Sequence, residues 1–118
     1  MGEMLLINIK NRDADTIVER IKPWMTHLYT SRYKIVVVND FYDKQYNFYL
    51  VIYHPQRRTR AVPLHSVHEI TLAQLETLIQ SLSQQIHLTI DYRGFAGKRW
   101  PKSQKFIQRK KLISNKTL

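Results

Sequence analysis

The sequence predicts a single α+β domain, a mixed or antiparallel sheet flanked by two helices. Three observations carry that expectation. Residues 33–54 read as two β-rich runs, YKIVVVND and KQYNFYLVIYH, joined by a short polar and aromatic link. Residues 71–85 place leucines at helical spacing behind a capping pattern. The length of 118 residues suits one core that buries roughly two-thirds of the surface its unfolded form exposes.

Met4 to Lys10 (MLLINIK) alternates loosely and is short enough for a strand, and Asn11 to Asp15 supplies turn formers after it. From Ile17, the positions Ile17, Val18, Ile21, Trp24, Met25 and Leu28 fall on one helical face. Thr16 with Glu19 makes a candidate capping box there, with Asp13 or Asp15 as rival caps. Pro23 removes an interior donor without breaking the phase of the stripe. A bent helical segment is therefore expected, lying on the sheet through Trp24.

The hairpin follows. Ile35, Val36, Val37 and Val38 are β-branched and stiff at χ1. In the second run Tyr46, Phe48, Leu50 and Ile52 share one face, and Asn47, Tyr49, Val51 and Tyr53 the other. Two such runs across a short gap make antiparallel neighbours in the middle of the sheet. HPQRRTRAVP, bracketed by Pro55 and Pro63, is expected to be an exposed connection, with a short strand over Leu64 to Glu69. Thr71 and Gln74 form the second capping box, and the helix behind it runs to Gln84 or Gln85. Ile86, Leu88, Ile90 and Tyr92 then alternate with polar residues as a strand with one wet face. Residues 93–118 are expected to pack in part, with Phe106, Ile107, Lys110 and Ile113 on a helical face or in a last strand. Residues beyond about Ser114 are expected to fray.

Charge is unevenly distributed. Residues 1–92 hold ten Lys/Arg and all nine acids, whereas residues 93–118 hold nine Lys/Arg and no acid. A neutral body with a basic end marks a segment meant for a polyanion. The absence of cysteine excludes disulfides, thiol catalysis and cysteine-ligated zinc. No apolar run reaches the ~18 residues of a membrane span and no signal-peptide pattern opens the chain, so no membrane association is expected and the cytoplasm is.

The five histidines lack metal-ligand spacing, and no metal and no cofactor are expected. His65 and His68, the closest pair, read as ordinary exposed or capped residues. With three glycines in the chain, neither a Walker nor a dinucleotide loop can be built. The strongest signal is YRGFAGKRWPK over residues 92–102, where aromatic residues are interleaved with cations. Cations neutralise phosphates, and aromatic faces stack on unpaired bases. The candidate nucleic-acid contacts are Arg93, Phe95, Lys98, Arg99, Trp100, Lys102, Lys105, Arg109, Lys110 and Lys111, with Arg57, Arg58 and Arg60 as a second contact. For Phe95 and Trp100 the competing reading is that they anchor the segment in the core. The second helix has no cation from Thr71 to Gln85, which disfavours a DNA recognition helix and favours RNA. A toxin-type ribonuclease using His65, His68, Tyr92 and Arg93 is the first alternative, and a basic protein-interaction module the second.

The order of elements, together with the start MGEMLLINIK, resembles the PrgU-like small regulators of pheromone-responsive conjugative plasmids. That resemblance covers the whole chain and rests on layout rather than on a diagnostic motif. It implies a PUA-like fold, a partly closed pseudo-barrel with flanking helices. It also implies a non-enzymatic, RNA-binding role that suppresses overproduction of surface-adhesin and conjugation gene products. RNA-binding PUA domains commonly use a glycine-containing loop after the first helix, and Tyr29 to Tyr33 contains none, so no site residue follows from the resemblance.

Overall fold

A computed structural model describes residues 2–27 and 31–108. Its elements are helix α1 (Gly2–Ile21), a short 3-10 helix (Lys22–His27), strands β1 (Arg32–Asp40), β2 (Gln45–Tyr53) and β3 (Arg60–His68), helix α2 (Leu72–Gln85) and strand β4 (Thr89–Arg93). The fold is α+β, a mixed four-stranded sheet with two helices, in the order β3-β2-β1-β4. β1 and β2 form the expected antiparallel hairpin at the centre, and β4 lies parallel to β1. The four strands make an open sheet with β3 and β4 as its edges.

The first expected strand is a helix instead. Met4 to Lys10 belongs to α1, which also runs through Asn11 to Asp15 without a turn. That stretch contains neither Gly nor Pro, and once a helix has nucleated each further residue adds a hydrogen bond. The fully buried stripe Ala14, Ile17 and Ile21 holds its inner half on the core. Thr16 is accordingly an interior residue whose hydroxyl donates to Arg12 O at 2.9 Å, and not an N-cap. At Pro23 the α-helix has already given way to the 3-10 helix, whose backbone departs from helical values at Met25 (φ −94°, ψ 23°). The expected bend is there, and Val18, Trp24 and Met25 pack against the core beyond the buried stripe.

Register explains how the core is filled. Ile35, Val37, Phe48 and Leu50 point to the helices and are buried with Leu64 and Val67 of β3 and with Leu75, Leu78, Ile79 and Leu82 of α2. Apolar residues on one face of each element leave the helices a single place to lie, which puts α1 and α2 side by side over the same face of the sheet. The other face carries Lys34, Tyr49, Val51 and Tyr53, and there the Lys34 ammonium donates to Asp91 Oδ2 at 2.7 Å.

β3 begins four residues earlier than the sequence suggests, so Arg60 and Pro63 are in the sheet. Pro63 is accommodated because β3 is an edge strand, and a proline there costs no ladder bond. Opposite Phe48 and Tyr49 the register jumps from His65 to Pro63, which makes Leu64 the extra residue of a β-bulge. Its carbonyl accepts from the Arg20 guanidinium of α1. The capping box of α2 forms as read: Thr71 Oγ1 accepts from Gln74 N at 3.1 Å and Gln74 Oε1 from Thr71 N at 2.8 Å. β4 is shorter than expected because Ile86 caps α2, its N–H donating to Leu82 O at 3.0 Å.

Candidate nucleic-acid interface

β4 ends at Arg93, beside Val38, and Gly94 turns the chain away from the sheet. The turn requires φ +84°, and a Cβ at Gly94 would meet Asn39 O at 3.0 Å. Asn39 Nδ2 donates to Gly94 O at 3.1 Å, so this glycine fits strand β1 and not a ligand. The segment at residues 95–108 forms neither a helix nor a named strand. It doubles back through a single antiparallel bridge between Arg99 and Phe106, reinforced by Trp100 N to Lys105 O at 2.9 Å and Ile107 N to Lys98 O at 3.1 Å.

Two apolar anchors and one carboxylate hold it down. Phe95 is 0% exposed, stacked on Tyr46 at 5.8 Å and edge-on to Tyr92 at 5.9 Å. Ile107 is buried as well. Glu76 of α2 is 4% exposed, and its carboxylate accepts the backbone N–H groups of Lys102 and Ser103. Glu76 is a functional residue that the sequence reading did not single out. Its signal was weak, since it was an acid at a position where the leucine spacing of α2 calls for an inward residue.

Phe95 is therefore a core anchor and not a base contact, because its ring is enclosed in the core. Trp100 is half-buried and edge-on to Tyr92 at 5.6 Å. The cations behave otherwise. Arg93, Lys98, Arg99, Lys102 and Lys105 are all exposed, and none forms an ion pair among the described residues. Lys102 Nζ donates to Thr77 Oγ1 at 3.2 Å, and the Arg99 guanidinium lies 4.4 Å from the centre of the Phe106 ring. Arg109, Lys110 and Lys111, like the expected face through Ile113 and the fraying expected beyond about Ser114, lie outside the described residues.

Two exposed rings at this end of the sheet, Phe41 and Tyr42, are ones the sequence did not single out, and Phe106, expected to pack, is exposed too. The β1–β2 turn leaves the sheet where β4 hands over to the basic segment, and it carries Phe41 at 63% and Tyr42 at 97% exposure. Phe106 is 54% exposed. The turn is held in shape by Asp40, whose Oδ1 accepts from the N–H of both Tyr42 and Asp43 at 3.1 Å. Rings that face water at the tip of this hairpin, at the same end of the sheet as an acid-free run of cations, combine base-stacking surface with phosphate neutralisation.

Arg57, Arg58 and Arg60 are not near this end. They line a cleft at the opposite end of the sheet with Trp24, Ser31, Tyr33, Ile52 and His54. The residues of the nuclease alternative do not converge either. His65 Nε2 lies 2.9 Å from Asp13 Oδ1, tying β3 to α1, whereas His68 is on the other face of β3. Burial raises the Tyr92 hydroxyl to a pKa of about 12, which keeps it neutral and unsuited to act as a base near neutral pH. Among the described residues no three His, Asp or Glu side chains are grouped to hold a metal ion, and no helix is long and apolar enough to cross a membrane. No family model, no curated protein and no solved structure matches the chain.

Proposed function

We propose that the protein is a non-enzymatic RNA-binding regulator that acts in the cytoplasm and takes single-stranded RNA at the end of the sheet formed by the β1–β2 turn and residues 93–108. What carries this reading is one observation: five exposed cations on an acid-free segment leave the sheet at the same end as a turn with two exposed aromatic rings. Without a polyanion such a cluster is self-repulsive. With one, the cations release counterions and the rings of Phe41 and Tyr42 stack on unpaired bases. A duplex, whose bases are already stacked, leaves those rings without a partner. The same proposal carries the PUA-like reading of the fold, and the restraint of surface-adhesin and conjugation gene output that the resemblance to PrgU-like regulators implies.

Filter binding of single-stranded RNA, duplex RNA and duplex DNA at two salt concentrations tests it. Single-stranded RNA should bind best, and the logarithm of affinity should fall with the logarithm of salt with a slope of about −3.5 from the five described cations, reaching roughly −6 if all nine of residues 93–118 take part. No nucleic-acid affinity at physiological salt would favour a protein-interaction module. Metal-independent cleavage of the RNA would favour the ribonuclease.

A further inference from the structure

The cleft at the far end of the sheet is built by contacts that have nothing to do with the basic segment. The Tyr33 hydroxyl donates to Trp24 O at 2.7 Å, which fixes the 3-10 helix against the start of β1. The Arg60 guanidinium at the start of β3 lies 5.3 Å from the centre of the Trp24 ring. Between β2 and β3 the chain turns back through Arg57 N donating to His54 O at 3.3 Å, which brings Arg57 and Arg58 to the same opening. The result is a cleft of about 370 Å³ with three guanidiniums and an imidazole beside the apolar surface of Trp24, Tyr33 and Ile52.

Among the described residues no Asp or Glu lines this cleft, and none of the three arginines forms an ion pair. His54 Nδ1 accepts from Gln56 N at 3.4 Å, so the proton of the neutral ring is on Nε2, a donor. Among the described residues every charged or titratable group that lines the cleft is thus a cation or a hydrogen-bond donor toward an anion, apart from the Tyr33 hydroxyl already engaged with Trp24. Guanidinium forks match phosphate oxygens two at a time, and a terminal phosphomonoester brings more charge and more free oxygens than an internal phosphodiester. Inorganic phosphate would leave the aromatic and aliphatic surface unused. The volume falls within the ~300–1,000 Å³ of small-molecule sites and is too small for a duplex.

We propose that this cleft binds a nucleoside phosphomonoester, with the base against Trp24, Tyr33 and Ile52 and the phosphate among Arg57, Arg58 and Arg60. The ligand is a free nucleotide or the 5′-phosphorylated end of an RNA, which present the same chemistry. The site does not depend on the interface at the other end. Tyr33 and Val38 are five residues apart on β1, which separates the cleft from Arg93 by roughly 16 Å along the strand.

Trp24 and Trp100 are the two tryptophans of the chain, so in a Trp100→Phe variant the emission reports the cleft. Titration of that variant with a nucleoside 5′-monophosphate should give a saturable change, with the matching nucleoside and inorganic phosphate each weaker by about tenfold or more. Equilibrium dialysis on the unsubstituted chain should return the same order of affinities. An Arg57→Ala/Arg58→Ala variant of unchanged melting temperature should lose about tenfold or more. Equal binding of inorganic phosphate, no saturation with the monophosphate, or indifference to the Arg57/Arg58 replacement would each overturn the proposal. In a Lys98→Ala/Arg99→Ala chain, 5′-phosphorylated and 5′-hydroxyl oligoribonucleotides identify the source. A preference for the phosphorylated end that vanishes on replacing Arg57 and Arg58 assigns the site to RNA ends, whereas nucleotide binding without that preference assigns it to free nucleotides. Loss of RNA affinity in the Lys98/Arg99 variant with nucleotide binding intact would separate the two sites.

Discussion

Glu76 Oε1 accepts the backbone N–H of Lys102 at 2.8 Å, joining α2 to a segment 26 residues further along the chain. Its other oxygen accepts from Ser103 N at 3.2 Å. A buried carboxylate satisfied by backbone donors holds the basic segment in place without using any of its cationic side chains as counterions.

Glu76→Ala should therefore cost about 1–3 kcal/mol, since the acceptor is lost while the two donors can turn only partly to water. Glu76→Gln, which keeps one carbonyl oxygen, should fall between the variant and the original. The check is the melting temperature together with tryptic cleavage after Lys98, Arg99 and Lys102, which should accelerate more than cleavage in the hairpin.

Phe95→Ala should cost about 3–5 kcal/mol and Leu78→Ala about 2–5 kcal/mol, because each leaves a cavity in the same core. RNA affinity should fall for Phe95→Ala only as far as the fold is lost. Binding that is weakened in a fully folded Phe95→Ala protein would return this ring to the interface.

Phe41→Ala and Tyr42→Ala should show the reverse pattern. Neither ring is buried, so the melting temperature should hardly move, while affinity for single-stranded RNA should fall by about 1–3 kcal/mol at each ring that stacks and the salt slope should stay nearly constant. Lys98→Ala or Lys105→Ala should instead reduce the slope by about 0.7 per residue and weaken all sequences alike. Salt titrations on the four variants distinguish the two kinds of contact.

Alkaline pH should weaken the fold in a defined window. The hydrogen bond to Asp91 is the largest of the effects that raise the Lys34 ammonium above its ordinary pKa, and burial raises the Tyr92 hydroxyl to about 12. Both groups favour their protonated form in the folded chain, so their contribution is fully present below the unfolded values near pH 10. It is lost as pH rises through the folded ones. Melting temperature should decline from about pH 10 to pH 12, and Tyr92→Phe should remove part of that decline. An identical pH profile for Tyr92→Phe would show that the ring does not titrate in this window.

The central hairpin and α2 could be read from the chain alone because their determinants are local: β-branched runs a few residues apart, and a cap whose two bonds span Thr71 to Gln74. The basic end was equally plain, since charge needs no fold to be counted. Tertiary structure decided the rest. Met4 to Lys10 reads as a strand until the stripe Ala14, Ile17 and Ile21 finds a core to lie on and the helix extends back through it. Arg57, Arg58 and Arg60 read only as a second contact for the same nucleic acid until the sheet places them at the end opposite the basic segment. Among aromatic residues no local pattern separates Phe95, which goes inside, from Phe41 and Tyr42, which stay in water. Burial is a property of where the chain returns to, and the contacts that bury Phe95 come from Tyr46, far behind it in sequence, and from Tyr92 on a strand that exists only once α2 has crossed the sheet.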